Sequence, residues 1–277
     1  VADAVEVGDA SGRAAAPSLR AIFGAALALL LTILFLIPGN LLVALGLGRP
    51  ALRLAPIWAR LCLVCLGVKL EVVGREHLPP AGNGYIAAAS HCSALDIPIY
   101  TSLLPHTLRY VAKRELSRLP LFGWAFGRTG NLYVDRGGTP ETRDRFNLAL
   151  RREPSRPILI YPEGTRTRNG EIQNFKHGFV YMALASGLPI LPMVSRGAFE
   201  LWPKGQRLSR AGRVTVIIGP LIETEGWREE TIAEHAEAVR GVMRGLEDSP
   251  ILNRLRGILP SDVNEDDHRK HLEEKHR

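Results

Sequence analysis

Cysteine is scarce in this chain, at three in 277 residues. Cys62, Cys65 and Cys92 cannot build a disulfide framework. The Cys62-x-x-Cys65 pair sits in an apolar run, and there is no second pair to complete a zinc site. They read as packing thiols in a reducing compartment. Aromatic residues make up only 6% and are not interleaved with basic ones, which argues against a surface built to stack on nucleic-acid bases. No Gly-x-Gly-x-x-Gly loop, Walker loop or Gly-x-Ser-x-Gly elbow occurs, and no internal repeat. These absences weigh against dinucleotide binding, nucleotide hydrolysis and serine hydrolysis. His268 and His271 fall in a polar, mixed-charge terminal stretch, so no metal is expected. With 46% hydrophobic and 23% charged residues, the chain is expected to build one sizeable core or at most two small domains.

Charge is also missing from residues 21–48. Such a run is long enough to enter a membrane. The preceding residues carry little charge of either sign, and the run outlasts a usual signal core, so a retained anchor is expected. Pro38-Gly39-Asn40 reads as an interruption. The Leu-rich stretch 41–70 after it is dotted with Arg49, Arg53 and Arg60. Arginines make a clean second span costly, whereas an interfacial helix lets them reach phosphate. Two arrangements fit: one span plus an interfacial helix, or two helices dipping into one leaflet. The arginines favour the cytoplasm for the domain that follows. A net charge of +7 favours anionic partners such as a phospholipid face, a nucleic acid or an acidic carrier protein.

From about residue 72, strand and helix patterns alternate. Strands are expected at 84–89, 108–112, 131–135, 158–161, 189–194 and 213–219, and helices at 140–152, 178–186 and 227–246. Ile232, Ala236, Val239 and Met243 form one stripe of the last helix. The order implies an α/β fold with a mixed, mainly parallel central sheet flanked by helices, preceded by N-terminal membrane-embedded helices. The expected organisation is a polar segment at 1–17, membrane-anchoring or interfacial helices at 18–70, the α/β domain at 71–248 and a polar tail at 249–277. In such sheets, sites gather at the carboxyl ends of strands.

Two such ends carry chemistry. Ser90-His91-Cys92-Ser93-Ala94-Leu95-Asp96 follows one strand. A histidine in the loop and an aspartate in the first helical turn can meet, with the carboxylate holding one ring nitrogen and the other accepting a proton. The same residues also read as a capping box, Ser93-x-x-Asp96. Tyr161-Pro162-Glu163-Gly164-Thr165-Arg166-Thr167-Arg168 follows another strand. Gly164 permits a tight turn, and an arginine fork matches phosphate oxygens; a surface ion pair is the alternative reading. Arg136, Lys113, Arg114 and Lys176 are further candidate anion contacts.

These residues resemble the membrane-bound glycerolipid acyltransferase family, especially its bacterial 1-acyl-glycerol-3-phosphate acyltransferases. The family's Asn-His-x-x-x-x-Asp motif matches 90–96, with Ser90 in place of Asn. Gly130 to Arg136 matches its second motif. Its Phe-Pro-Glu-Gly-Thr-Arg-Ser motif matches 161–167, with Tyr161 and Thr167 as mild departures. Leu191-Pro192-Met193-Val194 is similar to its fourth. The resemblance implies transfer of a fatty acyl group from acyl carrier protein or acyl-CoA to the 2-hydroxyl of 1-acyl-sn-glycerol-3-phosphate. His91 and Asp96 would be catalytic. Arg136, Glu163, Gly164, Thr165, Arg166 and Lys113 would hold the acceptor. No cofactor or metal is implied beyond the acyl donor. The implied place is the bacterial inner membrane, with the site on the cytoplasmic side. Another lyso-lipid acceptor, such as a lyso-ornithine lipid, is an alternative. A basic membrane-anchored anion-binding module is the non-enzymatic one.

Overall fold

A computed structural model describes residues 18–134 and 140–248, with backbone alone for 140–145. Helix α1 spans Leu19–Ala44, and Ser18 caps it by accepting a hydrogen bond from the Ala21 N–H. It runs straight through Pro38, so the expected interruption at 38–40 does not end the helix. Proline costs one backbone bond here, and apolar helices tolerate that loss. Helix α2, Gly48–Leu52, makes the turn, and α3, Leu54–Cys65, returns. The two long helices lie antiparallel. Trp58 Nε1 donates to Thr32 Oγ1 at 3.0 Å, while a Cβ added to Gly24 would sit 2.4 Å from the Cys65 carbonyl oxygen.

The α1 helix is long and apolar enough to cross a membrane, and only 6% of its most apolar window is buried. Leu29, Leu30, Ile33, Leu34, Ile37 and Leu41 stand exposed along one side. This is the helical spacing of a single outward stripe.

Strand β1, Val68–Val73, starts inside the stretch 18–70 that the sequence reading gave to helices. Gly67, at φ 69°, turns the chain there. The remaining order is β2 Ile86–Ala89, α4 Asp96–Leu103, β3 Arg109–Lys113, α5 Phe122–Arg128, β4 Leu132–Val134, α6 Pro140–Arg152, β5 Ile158–Ile160, α7 Gly178–Ser186, β6 Ile190–Arg196, α8 Ala198–Leu201, β7 Gly212–Ile218 and α9 Ile232–Glu247. The strands form one sheet in the order β1-β7-β6-β2-β5-β3-β4. Every pairing is parallel except β6 with β7. This is the mixed, mainly parallel sheet that the alternating pattern implied.

Two apolar cores cover the sheet. One gathers Leu63, Ile99, Tyr100 and Leu104 against alternate residues of β2, β6 and β7. The other gathers Phe146, Phe179, Met182 and the α9 stripe, with Ile232, Ala236, Val239 and Met243 all buried. Ala87 and Ala89 face the first core, and Ile86 and Ala88 the second, so β2 is buried on both faces. Arg109, 1% exposed, locks the start of β3 by donating to the carbonyls of Ala149, Glu153 and Arg156.

Gly24→Ala is expected to force α1 away from α3 and destabilise the protein by about 1–3 kcal/mol. Gly39→Ala, which meets open space, should leave stability nearly unchanged. Thermal unfolding in detergent measures both; equal midpoints would contradict close helix packing at Gly24.

Candidate active site

Strand β2 delivers the chain to His91 at its carboxyl end, and Asp96 is the first residue of α4. The loop between them folds back on the carboxylate. His91 Nδ1 lies 2.9 Å from Asp96 Oδ2, which also accepts the backbone N–H groups of Cys92, at 2.8 Å, and Ser93, at 2.9 Å. Ser195 Oγ donates to the other oxygen, Oδ1, at 3.1 Å. Asp96 is fully buried and the His91 side chain is 18% exposed. A buried carboxylate is tolerated because these donors replace water. With Nδ1–H donating to Asp96, Nε2 keeps its lone pair for a proton.

The capping reading and the paired reading both describe Asp96. Its carboxylate receives the Ser93 N–H as a capping box would, yet Ser93 Oγ accepts from the Leu95 N–H. The same oxygen that ties down the loop also orients the imidazole.

The second loop is laced to the first through His91. The His91 N–H donates to Glu163 Oε1 at 2.8 Å, and the Thr167 N–H donates to the His91 carbonyl at 2.9 Å. The Tyr161 ring stacks on the imidazole, with centroids 4.0 Å apart and planes 15° off parallel. A turn bond from the Gly164 N–H to the Tyr161 carbonyl closes the bend, and Gly164 has φ 68°. The Lys176 side chain lies across Gly164, so a Cβ there would come within 2.9 Å of it.

A cavity of about 1520 Å³ opens on these loops. His91, Gly164, Thr165, Arg166 and Lys113 all line it, as do Lys176 and Lys204. Its apolar walls include Phe35 and Leu36 of α1, Phe126 of α5 and Met182 of α7. Lys204 Nζ donates to Thr165 Oγ1 at 3.3 Å. Arg168 is exposed and does not line the cavity. Arg136 lies outside the described residues.

Glu163 is placed differently from the sequence reading, which offered it to the substrate. It is 4% exposed and does not line the cavity. Its two oxygens accept the N–H groups of His91 and Gln173, so it braces the histidine loop. Ser195, one residue past the fourth motif, and Lys204 were not singled out from the sequence. A serine after an apolar strand carries no signal of its own; only the pairing of β6 with β2 brings it to Asp96. Ser90 is held by the same pairing, its Oγ accepting the Ser195 N–H at 3.1 Å. No cluster of metal-ligating side chains occurs among the described residues.

Burial pushes the Glu163 carboxyl from 4.5 up to about 7, against the opposing pull of its two backbone hydrogen bonds. The folded state therefore binds more protons than the unfolded one between these values. Stability falls as pH rises from about 4.5 to 7, and this contribution is level above that. Glu163→Gln should lack this component, which amounts to at most about 3 kcal/mol. Thermal unfolding of both proteins at pH 5 and pH 8 measures the difference; identical pH slopes would contradict it.

The family described as Acyltransferase matches residues 69–196. A 1-acyl-sn-glycerol-3-phosphate acyltransferase of Limnanthes douglasii is 31% identical over 64% of this chain and 62% of its own length. One of Saccharomyces cerevisiae is 33% identical over 64% of this chain and 59% of its own. The chain thus spans about three-fifths of these relatives. Among solved structures, the 1-acyl-sn-glycerophosphate (LPA) acyltransferase PlsC from Thermotoga maritima shares the fold. Its TM-score is 0.65 at 23% identity, covering 83% of this chain and 99% of that one. The paired His91 and Asp96 and the loop laced to them thus lie within the segment 69–196 that matches the family described as Acyltransferase.

Proposed function

We propose that the protein transfers a fatty acyl group from a thioester, acyl-CoA or acyl carrier protein, to the 2-hydroxyl of 1-acyl-sn-glycerol-3-phosphate, giving phosphatidic acid. One observation carries the reading. A single cavity is lined by a histidine with a free ring nitrogen, by cations and by an extended apolar wall. An acceptor with a hydroxyl, a phosphate and an acyl chain uses all three.

In this reading His91 Nε2 takes the proton of the acceptor hydroxyl as its oxygen attacks the thioester carbonyl. The carbon–sulfur bond then breaks, and the proton passes from His91 to the leaving thiolate. Asp96 holds the imidazole in the required tautomer and offsets its charge while it is protonated. No acyl-enzyme is required, because both substrates are brought to one place. Arg166 takes the phosphate, as a planar fork suited to its oxygens. Lys176 and Lys204, which touch the bend at Gly164 and Thr165, and Lys113 elsewhere in the cavity wall add positive charge. The resemblance adds Arg136 to this set. Glu163 acts on the acceptor only through the loop it braces.

The helical pair supports a reading in which this cavity lies at a lipid surface. At 12 residues, α3 rises only about 18 Å, too little to return across a hydrocarbon core of roughly 30 Å. We therefore read α1 to α3 as a hairpin that enters and leaves by one leaflet. Arg49, Arg53 and Arg60 favour the cytoplasmic face, and the resemblance to bacterial members supports the inner membrane as the place. The acceptor's chain then never leaves an apolar environment.

His91→Ala is expected to lower kcat by about 10²–10⁴ with purified protein in detergent, labelled acyl donor and lysophosphatidic acid. Retained activity would remove His91 as the base. Arg166→Ala should raise the KM for lysophosphatidic acid by about 10–100-fold, while a phosphate-free acceptor should show no such change. An equal loss on both acceptors would contradict the phosphate role.

A further inference from the structure

Next to the cavity lies a further exposed apolar surface, of which Leu116 and Phe122 line the cavity while Leu119, Leu121 and Trp124 do not. Leu116, Leu119, Leu121, Phe122 and Trp124 are 38–56% exposed within one short stretch of chain. It comprises the 3₁₀ turn Arg114–Arg118 and the start of α5. Five bulky apolar side chains so close together in water are unusual for a soluble surface.

This stretch is built, not loose. Backbone hydrogen bonds run from the N–H of Phe122 to Pro120, of Gly123 to Leu119 and of Ala125 to Leu121. Gly123 packs so tightly that an added Cβ would lie 2.2 Å from the Ser117 carbonyl oxygen. Tyr133 Oη donates to the Gly123 carbonyl at 2.7 Å. Leu121 has φ 63°, and it is the only non-glycine residue with positive φ among the described residues. That conformation is costly for a leucine. Its outcome here is a leucine side chain 56% exposed at the crest of the ridge. Holding a strained backbone in order to present leucine to water has no evident benefit; presenting it to hydrocarbon has one.

The surroundings identify the occupant. The α5 helix packs against α1, and Gly48 at the hairpin turn lies beside the backbone of Arg128 and the side chain of Thr129. The ridge therefore adjoins the helix that carries the exposed apolar stripe. Its flank is cationic: the Arg128 guanidinium sits 5.1 Å over the Trp124 ring, and Arg118 is exposed. A tryptophan and an arginine at the edge of an apolar surface match the boundary between hydrocarbon and phosphate. Leu116, Phe122 and Phe126 also line the cavity together with Phe35 and Leu36 of α1.

We propose that the ridge from Leu116 to Trp124 is a third membrane-inserting element, buried in lipid acyl chains beside the hairpin. The cavity wall between α1 and α5 then opens sideways into the leaflet, so an acyl chain can enter without crossing water. The proposal rests on the reading that α1 lies in a bilayer, and the test separates the two.

Three proteins, each with one added exposed cysteine, are made in a Cys65→Ser background, in which Cys62 and Cys92 stay buried. They carry Leu121→Cys on the ridge, Ile33→Cys on α1 or Val242→Cys on α9. Each is labelled with a nitrobenzoxadiazole fluorophore and bound to vesicles of phosphatidylcholine and phosphatidylglycerol. The expected result is blue-shifted emission at positions 121 and 33, with quenching by doxyl-labelled lipid and little quenching by aqueous iodide. Position 242 should show the reverse. A label at 121 that behaves like 242 while 33 stays in lipid overturns the ridge alone. Labels at both 33 and 121 open to iodide overturn the ridge together with the bilayer reading of α1.

Discussion

The site depends on one buried carboxylate. Asp96 collects the His91 ring, two backbone N–H groups and the Ser195 hydroxyl around two oxygens. Stripped of water, it costs several kcal/mol unless each of these donors stays in place. That demand fixes the loop from Ser90 to Leu95, starts α4 and sets the orientation of the imidazole. One group thus couples local backbone structure to the position of a proton acceptor.

Sheet order supplies the donors. Because β2 lies between β5 and β6, its carboxyl end is flanked by the loop that begins at Tyr161 and by Ser195. The His91 backbone is held on both sides by the 161–167 loop, through Glu163 and Thr167, and its ring is covered by Tyr161. The two strongest motifs of the sequence are therefore one structural unit. Glu163 is mechanically part of the histidine site even though it does not face the cavity.

The cavity joins that unit to the helical hairpin. Its lining draws on α1, α5, α7 and both motif loops, so positive charge and apolar surface meet in one space. Positive charge at the loops suits a phosphate, and apolar walls suit hydrocarbon. The helical pair contributes to the site itself, since Phe35, Leu36 and Val43 of α1 are part of the cavity wall.

Much of this was legible in the sequence because it is local. Short apolar and β-branched runs indicate six of the seven strands, and the α9 stripe is readable residue for residue. Strand β1 is short and directly follows the Leu-rich run of α3, so the alternation of Val68, Leu70 and Val72 with Lys69 and Glu71 is easily absorbed into the helical stretch. The expected break at Pro38 does not occur because proline removes only one backbone hydrogen bond from a helix of 26 residues. His91, Asp96 and the Glu163–Arg166 bend were found as motifs, and their types alone specified a proton acceptor and an anion contact. The sequence by itself determined which groups are present and that they leave the ends of parallel strands. Tertiary structure alone decided their division of labour. It turned Glu163 inward, brought Ser195 from 99 residues away to Asp96 and set Lys113, Lys176 and Lys204 in the wall of the same cavity as Arg166. The physical reason is that hydrogen-bond partners across a sheet are chosen by strand order, which no local pattern of residues encodes.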